Sequence, residues 1–412
     1  MSENLEKGNL RFEWASERMP ALAAIRGRFM KELPFKDVRI AMALHVEAKT
    51  GVFAYLLKEG GAKLRMASCN PLSSDDSVVE SLKVTRKMEV FARKGETEKE
   101  YYENLNRALD IKPNIIIDDG GDLTKIVHQE RTDLLSEIIG GNEETTTGVV
   151  RLMAMEKQGV LKYPMFDVND AQMKHLFDNR YGTGQSTLDG IMNATNALIA
   201  GKNVVVAGYG WCGKGIAMRM KGLGGLVTVT EVDRVKAVEA AMDGFQVKRM
   251  RDALKEADLV VTATGMRDVV TYDDLLSARN NVILANSGHF NNEIPHRALE
   301  ERSIEKKQVR DYVTKYRLSN GNSINLIADG RLVNLAAGQG HPVEIMDMSF
   351  AVQALTAEYL LKNHGNLGRK VYPVPREIDY NIAEIKLQSM GITIDSLSAE
   401  QSRYSESWEE GT

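Results

Sequence analysis

Gly208, Gly210 and Gly213 are spaced as Gly-x-Gly-x-x-Gly. They follow the apolar run Val204-Val205-Val206-Ala207 and precede a helical pattern that opens at Ile216. One chemistry suits that arrangement, the holding of a dinucleotide pyrophosphate. The first glycine allows a tight turn, the second lets backbone approach phosphate without a Cβ, and the third lets helix pack close to strand. Free N–H groups of the helix's first turn then face the anion. Such a loop alone is weak evidence, because many glycine turns only redirect the chain; the strand context decides it. Leu226-Val227-Thr228-Val229-Thr230 reads as the next strand and ends at Glu231, about 20 residues past the glycines, where ribose hydroxyls belong. A carboxylate there accepts from the 2′-hydroxyl and repels a 2′-phosphate, which predicts NAD rather than NADP. Arg234 is the neighbour that would favour the phosphate.

Further candidates lie outside that loop: His45, Asp119, Glu144, Lys174, Asp178, Asn179, His289 and His341. Each has a structural reading. A histidine at a strand end can cap or pack, Asp118-Asp119-Gly120-Gly121 can be a turn, and Lys174 can be a solvated helix residue. Together they argue otherwise, because most stand at strand ends or in glycine-flanked loops, where catalytic groups concentrate.

The elements that must position them alternate β and α. Val38–Leu44 reads as a strand ending at His45, Ala62–Ser68 as a second, Glu89–Ala92 as a short third and Asn114–Ile117 as one ending at Asp118. Helical spacing runs from 15 to 33, along Val52, Tyr55 and Leu56, over Tyr101–Leu109 and over Phe350–Leu361. Asp258–Gly265, Asn281–His289 and Ile324–Gly330 read as later strands. The expected fold class is α/β, with two doubly wound parallel-sheet domains, a Rossmann NAD domain inserted in a substrate domain, plus a small C-terminal tail. The expected boundaries are 1–180 completed by 343–376 for substrate, 181–342 for NAD, and 377–412 for a tail with one helix, Ile382–Met390.

Bulk properties agree with a globular enzyme. The 412 residues exceed one ordinary domain, and 43% hydrophobic with 27% charged content is typical. A net charge of −4 implies no polyanion partner. Cys69 and Cys212 are the only cysteines, so neither a disulfide framework nor a metal-ligand cluster is expected. The charged opening from Met1 to Glu13 lacks a signal-peptide core and no apolar run has membrane-spanning length, which predicts a cytoplasmic protein.

A resemblance covers nearly the whole chain, from Phe12 to about Tyr404. It rests on His45, Ile117–Thr124, Glu143-Glu144-Thr145-Thr146-Thr147-Gly148, Val168-Asn169-Asp170, Phe177–Gly182, Val206–Gly210, Gly288-His289-Phe290, Gly330–Leu335 and Gly340-His341-Pro342. These segments resemble, in order, those of the S-adenosylhomocysteine hydrolase family. The resemblance implies reversible hydrolysis of S-adenosyl-L-homocysteine, in the methylation cycle, with one NAD per subunit retained through turnover. The cofactor oxidises the 3′ carbon, loss of the 4′ proton expels homocysteine, water adds, and the ketone is reduced back. It also implies a homotetramer.

The site residues carry over as implied roles. His45, Asp119, Lys174, Asp178 and His289 would be catalytic, with Lys174 and Asp178 at the ribose hydroxyls and the others handling protons at C4′ and C5′. A lysine near NAD and other cations is expected to have a lowered pKa, so that it can accept the 3′ proton. Glu47, Lys49, Thr50, Glu144, His341 and Met346 would bind substrate. Thr145, Thr146, Thr147, Asn179, Gly208, Gly210, Gly213, Glu231 and Asn334 would bind NAD, and no metal is implied.

Two departures from the family pattern stand out. The usual segment His-Met-Thr-Val-Glu-Thr reads here His45-Val46-Glu47-Ala48-Lys49-Thr50. An acceptor for the purine amine has become a donor, which suits the O6 of hypoxanthine and makes S-inosyl-L-homocysteine an alternative substrate. Otherwise Lys49 points to solvent and Glu47 takes over the amine. The tail, ending Ser407 to Thr412, lacks the lysine and tyrosine with which the family reaches a neighbour's NAD, so weaker NAD retention is expected; Tyr404 and Trp408 could still dock across an interface. A 2-hydroxy acid dehydrogenase would leave Asp118–Gly121 and the Glu-Glu-Thr-Thr-Thr run unexplained. A non-catalytic NAD-binding regulator would have altered site residues, and here every catalytic position is filled.

Overall fold

The computed structural model describes residues 2–408; Met1 and the end of the tail, Glu409 to Thr412, lie outside the described residues. The apolar runs form strands buried on both faces. Ile40 to Ala43 and Ile115 to Ile117 are fully buried, the pattern of central strands in a parallel sheet covered by helices on both sides. They belong to an all-parallel sheet of seven strands. Its order is Val371–Pro373, Met165–Asp167, Gly140–Glu143, Ile115–Asp118, Arg39–Ala43, Lys63–Ala67, Glu89–Phe91. Strand order reverses between Arg39–Ala43 and Ile115–Asp118, which opens a crevice at their carboxyl ends. His45 and Asp119 follow those two strands.

The second sheet has eight strands, ordered Glu305–Arg310, Val313–Arg317, Ser323–Ile327, Val282–Asn286, Leu259–Thr262, Asn203–Ala207, Leu226–Thr230, Gln246–Val247. Its reversal falls between Asn203–Ala207 and Leu259–Thr262, beside Gly208. The sheet is doubly wound and parallel as expected, with an antiparallel edge added by the two strands from 305 to 317. Glu305–Arg310 is exposed throughout and mostly charged, so it carried no apolar pattern to read. Charged side chains also shield a sheet edge from further pairing.

The helices differ from expectation in three places. The stretch 15 to 33 is two helices, Glu3–Glu17 and Pro20–Glu32, because Pro20 has no N–H to continue a helix and instead starts one. The expected helix over 350–361 runs from Val343 to Asn363. Among the described residues the tail holds two helices rather than one. Arg376–Ser389 buries Ile378 and Ile382 in the first sheet's core, while Ala399–Glu406 buries none of its residues and is started by a Ser398/Gln401 capping box.

Between the two sheets the turn Gln172–Lys174 runs into a π-helix, His175–Gly182, and then the helix Thr183–Thr195. π-Turns are rare and concentrate at functional sites. Close glycine contacts hold this crossing against the helix Trp211–Gly222 that follows the phosphate loop. A Cβ on Gly215 would sit 1.8 Å from the Arg180 carbonyl oxygen, and one on Gly184 would sit 2.6 Å from the Gly215 oxygen. Gly215→Ala is therefore expected to push the crossing off the helix and destabilise the protein by about 1–3 kcal/mol. Denaturant melts check this; an unchanged midpoint would contradict it.

Candidate active site

The carboxyl ends of both sheets face one cavity of about 950 Å³. It is lined by His45, Glu47, Lys49, Thr50, Asp119, Glu144, Thr145, Thr146, Thr147, Lys174, Asp178, Asn179, Gly208, Gly210, Glu231, His289, Asn334, His341 and Met346. Of the sequence-predicted residues only Gly213 is absent from the lining. Its part is internal, since a Cβ there would meet the Gly208 carbonyl oxygen at 1.9 Å.

Asp119 joins two histidines across the cavity. One carboxylate oxygen lies 3.4 Å from His45 Nε2 and the other 3.7 Å from His289 Nδ1. His45 comes from the first sheet and His289 from the second, so their meeting depends on how the two sheets face. The other His45 nitrogen, Nδ1, is 2.7 Å from Ser73 Oγ. Burial pushes His45 down to about 4, although the Asp119 charge opposes this, so the imidazole is neutral at ordinary pH. Ligand atoms of His45, Asp119 and His289 all lie within 4.8 Å of one another, a set that could also hold a metal ion. Cysteine spacing could not show it, because the three stand behind different strands.

Lys174 forms the second cluster. Its ammonium lies 2.8 Å from Asn179 Oδ1, 3.4 Å from Asp178 Oδ1, and 3.5 Å from both Glu144 Oε1 and Asn169 Oδ1. Burial alone would lower its pKa, but the Asp178 and Glu144 carboxylates outweigh that and raise it. This corrects the expectation of a lowered lysine. Asp178 receives Ser349 Oγ at 2.8 Å and faces His341 Nδ1 at 3.2 Å. Burial would raise Asp178, yet Lys174 and His341 hold it well below the usual carboxylate range. Glu144 takes a hydrogen bond from Gln353 Nε2. Burial pushes the Glu144 carboxyl up to about 8, Lys174 opposing and Asp178 and Asp119 adding to the rise. His341 is thus tied to Asp178, with its Nε2 3.3 Å from Thr183 Oγ1.

Lys49 is buried and does not point to solvent, which corrects that alternative. Its ammonium reaches the Gln339 carbonyl oxygen at 3.0 Å and Glu47 Oε2 at 2.9 Å. The Glu47 carboxylate is itself engaged as the N-cap of the helix Ala48–Glu59, accepting from Lys49 and Thr50 N–H. An ammonium has three N–H groups, so one remains for a ligand.

Two family models match the chain. The S-adenosyl-L-homocysteine hydrolase model matches residues 3–137, and the model of that enzyme's NAD binding domain matches 179–340. An adenosylhomocysteinase of Thermoplasma volcanium is 70% identical over 98% of this chain and 99% of its own length, and one of Thermoplasma acidophilum is 68% identical over the same shares. An S-inosyl-L-homocysteine hydrolase of Methanocaldococcus jannaschii is 57% identical over 99% of this chain and 98% of its own. The chain belongs to the S-adenosyl-L-homocysteine hydrolase family. It is an NAD-dependent hydrolase.

The residues present fit that cofactor. A Cβ on Gly210 would meet nothing within 4 Å, so the backbone there borders open cradle. Gly208 has φ +94°, the left-handed region that suits glycine in the turn. Glu231 is held by backbone, Oε2 accepting from Tyr209 N–H and Oε1 from Val232 and Asp233 N–H. Among the described residues Asn334 Oδ1 and Thr147 Oγ1 are buried without a partner, and both residues line the cavity. They offer a carboxamide or ribose hydroxyl the partner that each lacks. Arg234 is exposed and is not among the residues that line the cavity.

Sequence reasoning missed Ser349 and Gln353, which hold Asp178 and Glu144, and Cys69, whose Sγ lies 3.4 Å from Asp119 Oδ2. The signal for the first two was there, polar residues four apart in a helix whose buried residues are mostly apolar.

One pH effect follows from Glu144. Its folded value of about 8 exceeds the usual 4.5, so the folded protein binds the extra proton between them. Stability from this group is present below the usual carboxylate value and is lost as pH rises toward 8. Glu144→Gln should make ligand-free denaturant stability flatter between about pH 5 and 8 than in the parent protein. An unchanged slope would show that Glu144 is not carrying the proton.

Proposed function

We propose that this enzyme hydrolyses S-adenosyl-L-homocysteine reversibly to adenosine and L-homocysteine through a nucleoside oxidised at its 3′ carbon. The observation that carries this reading is the meeting of two clusters in one cavity beside a dinucleotide loop: Lys174 with Asp178 and Glu144, and Asp119 with His45 and His289. Bound NAD supplies the oxidising and then the reducing equivalent for the 3′ carbon. Asn334, Thr145, Thr146 and Thr147 would hold it at the substrate, with Asn179 nearby, and Gly208, Gly210 and Glu231 at the far end; Gly213 packs the loop.

Lys174 and Asp178 bind the ribose hydroxyls. The ammonium stabilises negative charge that develops on the 3′ oxygen, and Glu144 exchanges the proton there, since its carboxyl titrates near neutral pH. On the opposite wall the neutral His45 imidazole, aligned by Ser73, accepts the acidified 4′ proton. His289, across the same Asp119 carboxylate, gives a proton to the departing thiolate and takes one from the incoming water. Thr50, Glu47, His341 and Met346 frame the base.

A second reading concerns that base. Lys49 brings a buried donor to the wall where an amine would need an acceptor, and a relative at 57% identity is named S-inosyl-L-homocysteine hydrolase. Hypoxanthine's O6 would accept the remaining N–H, so S-inosyl-L-homocysteine fits Lys49 as well.

The lobes proposed are 1–180 with 343–376 for substrate and 181–342 for NAD, the tail following from 377. A homotetramer is supported by the unpartnered apolar row Val235, Val238 and Met242 on one helix and by Tyr404 and Trp408 in the tail, all exposed. A cytoplasmic location is supported by its substrates, which are soluble metabolites.

Purified protein with a stoichiometric pulse of NAD should release thiol over many turnovers. No thiol from either substrate, with nicotinamide bound, would favour a non-catalytic regulator. If Lys49 reads the base, Lys49→Glu should shift kcat/KM toward the adenosyl substrate by roughly 10-fold or more, the effect of a charge-assisted bond of about 1.5–3 kcal/mol. An unchanged ratio removes Lys49 from base selection.

A further inference from the structure

The turn that carries Lys174 is held from the far end of the chain. Asp379, on the helix Arg376–Ser389, accepts from the Gln172 N–H at 2.9 Å and from the Met173 N–H at 2.8 Å, one bond to each carboxylate oxygen. These are the first N–H groups of the turn Gln172–Lys174, which has no side-chain cap of its own. Asp379 is 6% exposed, so both bonds are screened from water. Local bonds hold only the far end of the turn: the Lys174 and His175 N–H groups share the Ala171 carbonyl, at 3.0 Å each, and the His175 N–H also meets the Gln172 oxygen before the π-helix begins.

The carrying helix is itself fixed. Ile378 and Ile382 lie in the first core, and one turn past them Lys386 Nζ reaches the buried Asp347 Oδ2 at 3.0 Å. Asp347 in turn accepts from Ala21 and Leu22 N–H at the start of Pro20–Glu32. Asp379 therefore presents a fixed acceptor pair to the two N–H groups of the turn that have no other acceptor among the described residues. Lys174 is the last residue of that turn, and its ammonium must meet acceptors between 2.8 and 3.5 Å away on three segments.

We propose that Asp379 is a positioning residue for Lys174. It sets the turn from which the ammonium reaches Asp178, Asn179 and Glu144, and through that it sets the rate of the 3′ step. This rests on the role proposed above for Lys174 at the ribose. A tie that only secured the C-terminal helix would cost rate no more than it cost stability, and Lys386, which holds the same helix without touching the turn, supplies the comparison.

The test compares the NAD-loaded parent enzyme, Asp379→Asn, Asp379→Glu and Lys386→Met. Absorbance at 340 nm after mixing with adenosine reads the 3′ oxidation, and equilibrium dialysis reads adenosine affinity. Hydrogen–deuterium exchange across residues 168–182 reads the turn, with or without turnover. Asp379→Asn should slow the oxidation about 10-fold or more, as misplacement of a catalytic group does, with affinity changed less than two-fold. It should also speed exchange in that segment. Asp379→Glu should recover part of the rate. Lys386→Met should lower the melting temperature at least as far as Asp379→Asn does, while slowing oxidation and speeding segment exchange by much less.

Proportional loss of rate and stability in Asp379→Asn and Lys386→Met alike would overturn the proposal. So would unchanged exchange in Asp379→Asn. If the parent enzyme shows no absorbance change, the functional reading fails, and the exchange data still decide whether Asp379 holds the turn.

Discussion

A buried cation needs matched acceptors, and the site is built around meeting that need for Lys174. Removing an ammonium from water costs several kcal/mol unless opposite charge and hydrogen bonds replace the solvent. Here the replacements come from separate parts of the chain. Glu144 follows the strand Gly140–Glu143, Asn169 follows Met165–Asp167, and Asp178 and Asn179 lie on the π-helix. Ser349 and Gln353, on the helix Val343–Asn363, hold the two carboxylates in turn. His341 adds a contact from the segment returning to the first sheet. Two carboxylates against one ammonium leave an excess negative charge, and burial resolves it by keeping a proton on Glu144 near neutral pH. The same balance gives the site a group able to exchange a proton at working pH.

The second cluster depends on topology. Asp119 and His45 lie behind the two strands where order reverses in the first sheet, and His289 follows a strand of the second. A carboxylate with one oxygen toward each imidazole is thus assembled from both sheets. Crevices at such reversals are where open α/β sheets bind ligands, and here two of them face each other across one cavity.

Much of this was legible in the sequence. The phosphate loop announced itself because glycine, strand and helix requirements coincide within a few residues around Gly208. His45, Asp119 and His289 were legible as polar residues at the ends of apolar runs. The ionisation of Lys174 was not, because it depends on carboxylates brought together only by folding. The π-helix His175–Gly182 was equally hidden, since its wider turn leaves no regular apolar spacing. The edge hairpin from Glu305 failed for the opposite reason: exposed and charged, it has no buried face to mark it. Asp379 stood just before the one helix read in the tail, and only packing brings it to the turn before Lys174.

The central claim is that the two clusters act in turn on one nucleoside, the first at its 3′ carbon and the second at its 4′ proton. The most direct measurement is deuterium incorporation. NAD-loaded enzyme is incubated with adenosine in heavy water, and the recovered nucleoside is analysed by NMR. The account predicts deuterium at the 4′ carbon with the 3′ hydrogen retained, and loss of that exchange in Asp119→Asn. Thiol release from the homocysteine thioether by an enzyme that leaves the 4′ position unlabelled would contradict it.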